Sequence, residues 1–293
     1  MSDARFPWPS PTEGGPPPVW TGRGFELGGA RVPVMSYGVG ASGWSDDLTS
    51  MHENLAGAAH PIDIASRRHA VDQLRKHLLR PDAVVLEVGC SSGYLLRDMR
   101  AVMPDAFLIG ADYVRGPLIA LADALPTVPI LQFDLQRCPL PDASVDAVVL
   151  LNVLEHIEDD AAAVGHLHRI LKPGGVAVIE IPAGPQLYDI YDKELMHFRR
   201  YRRSGAVALF EKAGFRVDKA SHLGFFVYPG FWAVKKKNRL FAPKEGGAAV
   251  VAKEIKSSSS PLLSSLMNLE LKLGEKVSFP VGIRCLLTAR KAA

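Results

Sequence analysis

Cysteine is scarce: the chain has three among 293 residues, Cys90, Cys138 and Cys285. An odd number without paired metal-ligand spacing argues against a disulfide framework or a cysteine zinc site and fits a reducing cytoplasm. No charge of one sign dominates, since 34 Lys and Arg against 31 Asp and Glu leave +3. General nucleic-acid binders carry a stronger basic bias, so no nucleic-acid partner is expected. No stretch reaches the roughly 18 apolar residues needed to span a bilayer, and no internal repeat is present. The N-terminus, broken by Pro7, Pro9, Pro11 and Pro16 to Pro18, lacks the apolar core of a secretory signal. What the chain does have is apolar mass: 47% hydrophobic residues suffice for one large α/β domain with additions, or two small ones.

Taken in order, residues 1–20 read as a flexible arm. Residues 21–62 mix Gly, Trp and Tyr with polar residues and show no sustained period, so irregular structure or short helices are expected there. Val71, Leu74 and Leu78 share one helical face and predict a helix over about Ile64 to Leu79. From residue 83 to 224 apolar strands and helices alternate. Strands are expected over Ala83–Val88, Ala106–Ala111, Val128–Phe133, Val145–Leu151, Val176–Ile181 and Phe215–His222. One helix begins near Asp159 and stops at Lys172-Pro173-Gly174-Gly175. Strands so uniformly apolar belong to a parallel sheet covered by helices on both faces. Residues 225–278 form an insertion, and 279–293 hold a last strand and tail.

The run Val84 to Leu96 is a strand, a small-residue turn (Gly89-Cys90-Ser91-Ser92-Gly93) and a helix start. Such turns let backbone approach a ligand and aim helix N–H groups at it. Glu87 is an acid on an otherwise apolar strand. A dinucleotide-binding turn needs Gly-x-Gly-x-x-Gly; this spacing differs, and a carboxylate ahead of Gly89 repels a pyrophosphate and favours a cationic group. Polar residues end three further strands: Asp112, about 20 residues past the turn where ribose hydroxyls are bound, Asp134 between Phe133 and Leu135, and Asn152. In open α/β sheets ligands sit outside these strand ends.

These residues, with the run Val145 to His156 and Leu171-Lys172-Pro173-Gly174-Gly175, resemble the class I S-adenosylmethionine-dependent methyltransferases, in particular the type 11 and type 12 small-molecule group. The likeness covers about residues 64–222 and the final strand. It implies a Rossmann-like, doubly wound sheet of seven mostly parallel strands with an antiparallel last strand. It further implies that S-adenosylmethionine is the cofactor, leaving as S-adenosylhomocysteine. Glu87 and Gly89 then border its methionine part, with Cys90, Ser91 and Gly93 completing the turn. Asp112 takes the ribose, with Tyr113 beside it in the cofactor site, Asp134 with its neighbours Phe133 and Leu135 the adenine, and Asn152 lies beside the sulfonium end. Ser91 stands where many members have glycine.

Methyl transfer needs alignment and a dry pocket rather than a protein nucleophile. A hydroxyl acceptor needs a base, for which His156 and His197 are the candidates. No acid cluster for magnesium is evident, so no metal is expected. Tyr37, Trp44, His52, Tyr188, Tyr191, Arg200 and Tyr201 are candidate walls for a small-molecule substrate. The aromatic and basic stretch 225–239 is a candidate lid, homodimer contact or peripheral membrane contact, although Pro229-Gly230 is expected to interrupt a clean amphipathic helix there. A lipid-linked substrate, a C or N acceptor, a non-catalytic binding module and an NAD-dependent oxidoreductase are the alternatives.

Overall fold

The computed structural model describes residues 5–38, 60–78, 80–241 and 261–293. Strands β1 (Val19–Trp20), β2 (Phe25–Leu27) and β3 (Ala30–Val32) form a small antiparallel sheet, and β4 (Val34–Ser36) follows directly. Of the segment expected to be irregular, the described residues 21–38 therefore hold three short strands, because Val, Phe and Trp alternate with turn glycines at a scale too short to show as a period.

Helix α1 (Pro61–His77) precedes the alternating core: β5 (Val84–Val88), α2 (Tyr94–Val102), β6 (Phe107–Asp112), α3 (Arg115–Ala124), β7 (Ile130–Gln132), β8 (Val145–Leu151), α4 (Asp160–Ile170) and β9 (Leu171–Pro182). Asp159 caps α4 by accepting the Ala162 amide at 2.9 Å. That helix ends at Ile170, and Lys172 to Gly175 open β9 rather than closing the helix. Short α5 (Ile190–Glu194), α6 (Arg203–Lys212), β10 (Phe215–Leu223), α7 (Tyr228–Phe241), α8 (Pro261–Gly274) and β11 (Arg284–Lys291) complete the order. Pro229 lies in the first turn of α7, where its missing N–H removes no helix bond, so the proline starts the helix and does not interrupt it.

The large sheet runs β10-β11-β9-β8-β5-β6-β7-β4. It has eight strands rather than seven, because Val34 to Ser36 add a parallel edge strand beside β7. The last strand, β11, is antiparallel to both β9 and β10. Strand order reverses at β5, whose neighbours are β6 and β8, which puts the ligand crevice at the carboxyl ends of these strands.

Alternation along β5 sends Val84, Leu86 and Val88 to one face and Val85 to the other. The first face packs on α4 and α6 through Val164, Leu167, Ile170 and Phe210. The second packs on α1, α2 and α3 through Leu74, Leu96, Met99, Leu118 and Leu121. Each such side chain contributes roughly 1.5–3 kcal/mol of burial. Phe6 and Trp8 are buried in the first of these cores. Trp8 meets Phe25 edge-on at 4.9 Å and Phe6 at 4.5 Å. From residue 5 onward the expected flexible arm is thus a packed strap: proline density concealed two aromatic anchors.

Candidate active site

The turn after β5 is held by left-handed backbone at Gly89 (φ 79°), Ser91 (φ 44°) and Gly93 (φ 73°). A Cβ on Gly89 would lie 2.4 Å from Val153 Cγ2, and one on Gly93 would lie 2.3 Å from Leu121 Cδ1. At both ends of the turn φ favours glycine, and at Gly89 the stiff β-branched Val153 also leaves little room for a Cβ. The amides of Gly89 and Cys90 both donate to the Ala111 carbonyl, at 2.8 and 3.0 Å. Asp112, at the end of the adjoining β6, accepts the Ser91 amide on Oδ2 at 2.9 Å and the Val114 amide on Oδ1 at 3.0 Å. Cys90 is buried and Tyr113 half-buried beside them.

Glu87 is buried on β5, and its Oε2 has no hydrogen-bond partner among the described residues. Burial, and secondarily the Asp112 charge, push its carboxyl well above the ordinary range. A buried acid with one unpartnered oxygen, beside a glycine cradle, fits the cationic amino-acid end of S-adenosylmethionine. Phe133 and Leu135 are buried around Asp134. Asp134 caps a short turn by accepting the Gln136 amide at 2.9 Å.

Asn152 closes β8 with φ 56°. Its amide donates to the Glu180 carbonyl at 2.8 Å and its Nδ2 to Glu180 Oε1 at 3.2 Å. The same Oε1 accepts Arg284 at 2.7 Å, and Arg284 also donates to Asp63 at 2.5 Å. Burial alone would raise the Asp63 carboxyl, but Arg284 and His60 take it far below its usual range. This network, built on the buried Glu180, fixes the strand end next to the turn.

Both histidine candidates stand together. A one-turn helix over Leu154–His156 begins two residues after Asn152, and the His156 ring meets the His197 ring edge-on at 4.7 Å. Glu155 lies in the same group: one ligand atom each from Glu155, His156 and His197 fall within 4.8 Å of one another. His197 Nδ1 contacts Asp192 Oδ1 at 2.8 Å, and Arg200 Nε donates to that oxygen at 2.7 Å. Burial lowers the His197 ring, against the opposing pull of Asp192. Burial, chiefly, raises Glu155 to about 8, with the Glu180 charge adding to it and Arg284 and Arg200 opposing it.

The chain after β9 is tied down by main-chain bonds. Phe198 N donates to the Glu155 carbonyl and Gly184 N to the Tyr201 carbonyl, both at 2.8 Å. Tyr188 Oη donates to the His197 carbonyl at 2.7 Å. Tyr201 Oη donates to Asp160 at 2.8 Å. Arg200 and Tyr201 are buried, so their polar groups are spent within the chain. Tyr191 lies under the buried Lys235 ammonium at 4.3 Å, and Lys235 pairs with Asp189 at 3.0 Å. Tyr37 is half-buried at the end of β4, its phenol raised by desolvation. Trp44 and His52 lie outside the described residues.

Sequence reasoning passed over Glu155, Asp192, Lys235 and Arg284. For Glu155 a signal existed, an acid next to a histidine just past a strand end. Lys235 and Arg284 are brought in by long-range packing and carried no local signal, whereas Asp192 lies only five residues before His197. Among the described residues no helix is long and apolar enough to cross a membrane.

Comparison with known proteins identifies the family and the fold. A family model for the methyltransferase domain matches residues 64–220. A "probable S-adenosylmethionine-dependent methyltransferase" of Mycolicibacterium smegmatis is 35% identical over 165 residues, covering 55% of this chain and 62% of that protein. A malonyl-acyl-carrier-protein O-methyltransferase of Serratia marcescens is 29% identical over 112 residues, covering 38% of this chain and 43% of that protein. The matches thus span less than two thirds of these relatives' lengths. The solved structure of phosphoethanolamine N-methyltransferase 2 from Haemonchus contortus with S-adenosyl-L-methionine superposes with a TM-score of 0.53 at 16% identity, covering 77% of this chain and 52% of that one. With the family match over more than half its length and the glycine turn, Glu87 and Asp112 in place, the chain belongs to the class I S-adenosylmethionine-dependent methyltransferases.

Proposed function

We propose that the chain methylates a hydroxyl of a small polar metabolite or sugar-containing natural product, with the acceptor placed at the His156–His197 pair. The names of relatives and structural neighbours span O, N and C acceptors, so the reading rests on the site itself. The observation that carries it is the edge-on contact of the two imidazoles at 4.7 Å, on the turn that begins two residues after Asn152. A nitrogen or carbon acceptor has less need of two imidazoles there, whereas a hydroxyl must lose its proton to become a competent nucleophile.

S-adenosylmethionine supplies an electrophilic methyl on a sulfonium. The protein's part is positioning. Asp112 offers carboxylate oxygens to the ribose, Phe133 and Leu135 provide an apolar wall for the adenine, and Glu87 faces the cationic methionine end. Val153, packed over Gly89, closes the floor between the turn and the histidines and keeps the methyl path dry. His197 is oriented through Nδ1 by Asp192, and His156, half-buried, is the ring that can reach an acceptor and take its proton.

The test is incubation with methyl-labelled S-adenosylmethionine and metabolite pools, followed by mass spectrometry. A labelled small molecule, lost with His156→Ala, is the expected outcome. A labelled product formed equally well by His156→Ala removes the histidine from the reaction.

A further inference from the structure

Three side chains at the acceptor end form a group that the proton-transfer reading does not fully use. Glu155 is wholly buried, at 0% exposure, and neither of its carboxylate oxygens has a hydrogen-bond partner among the described residues. A buried carboxylate without a partner is costly, whereas one that ligates a cation is satisfied. Two imidazoles flank it, with one ligand atom from each of Glu155, His156 and His197 inside a 4.8 Å span. A cation about 2.1 Å from each ligand needs these atoms about 3–3.5 Å apart, a closure within reach of rotation by His156, the half-buried member.

The outer shell has the form that metal-bound histidines use. His197 Nδ1 is committed to Asp192 at 2.8 Å, leaving Nε2 as the ligating nitrogen, and Asp192 is itself fixed by Arg200 at 2.7 Å and by the Asp189 amide at 3.0 Å. A carboxylate behind the imidazole sets its tautomer and ring direction.

We infer that Glu155, His156 and His197 hold a first-row divalent cation of the zinc, iron or manganese class. Two imidazoles and one carboxylate suit such ions, and three protein ligands leave open positions. This inference rests on the placing of an acceptor at the His156–His197 pair, and it refines how the hydroxyl is activated. The acceptor oxygen binds at an open position and its proton passes to water. The O–CH3 bond forms as the sulfonium S–CH3 bond breaks, leaving a neutral thioether. His156 and His197 then serve as ligands, and the cation does the work otherwise asked of a free imidazole.

The test is calorimetric titration of Zn2+ into the chelator-treated full chain, repeated with Mn2+, beside Glu155→Gln, His156→Ala, His197→Ala and Asp192→Asn. The expected result is one site per chain in the wild type. Affinity should fall on the order of 100-fold in the ligand variants and about 10–100-fold in Asp192→Asn. Zn2+ should also raise the wild-type Tm and leave that of Glu155→Gln unmoved, which separates lost binding from lost folding. His156→Ala, at the most exposed of the three positions, serves if the buried variants do not fold. Absence of stoichiometric binding of either ion, or equal binding by wild type and variants, overturns the inference. Metal binding with an N- or C-methylated product would leave the site standing and refute the hydroxyl reading; an O-methylated product without metal binding would do the reverse.

Discussion

Asp112 Oδ2 accepts the Ser91 amide at 2.9 Å, so the acid that ends β6 also braces the glycine turn that ends β5. One carboxylate therefore shapes the loop and, in the cofactor site proposed above, is the acceptor for the ribose. Hydrogen bonds to charged groups are worth about 1.5–3 kcal/mol. Asp112→Ala should weaken S-adenosylhomocysteine binding about 10–100-fold by calorimetry and lower Tm, with Asp112→Asn falling between. An unchanged Kd would take Asp112 out of the cofactor site.

Glu87 sets stability against function. Its carboxyl is raised in the folded state above the ordinary 4.5. The folded form therefore holds the proton more tightly than the unfolded chain, and stability declines as pH rises from the unfolded value toward the folded one. Glu87→Gln should raise the Tm of the ligand-free protein near neutral pH and flatten that decline, while weakening S-adenosylhomocysteine binding. A lower Tm near neutral pH would show that the acid is satisfied without a ligand.

Arg284 and Asp63, both half-buried, join the buried Glu180 in a triad, and removing Arg284 leaves uncompensated charge on Glu180. Arg284→Met should cost about 3–5 kcal/mol in urea unfolding. The depressed Asp63 carboxyl contributes stability that is present above its unfolded value of 3.8 and lost as pH falls through the folded one. Asp63→Asn should flatten the acid limb of the stability curve. An acid limb identical to wild type would assign it to other carboxylates.

Much of this was legible in the chain. Uniformly apolar strands announced a doubly covered parallel sheet, and Gly89, Gly93, Asp112 and Asp134 marked the strand ends where the structure places them. The edge strand Val34–Ser36 and the strap through Phe6 and Trp8 were not legible, because three-residue strands and isolated aromatics carry no measurable period. The Glu155–His156–His197 group was half visible. Both histidines stand out as titratable residues, but only tertiary folding brings a loop some 40 residues further on against the turn, with Glu155 sealed between. Arg200 and Tyr201 look like surface residues in a basic run and are instead spent on Asp192, Leu154 and Asp160.

Gly89 separates crowding from backbone strain. Gly89→Ala meets Val153 Cγ2 at 2.4 Å and keeps φ 79°, the latter worth about 1–2 kcal/mol for an L-residue. S-adenosylhomocysteine binding should fall sharply in Gly89→Ala and recover in part when Val153→Ala removes the crowding methyl. No recovery in the double variant would put the whole cost on φ.

The most direct test of the account is where the transferred methyl ends up. Isotope-labelled methyl from S-adenosylmethionine, followed by NMR of the purified product, should appear as an O-methyl carbon, with turnover reduced about 10²-fold or more in His156→Ala. Label on nitrogen or carbon, formed at the wild-type rate by that variant, would contradict it.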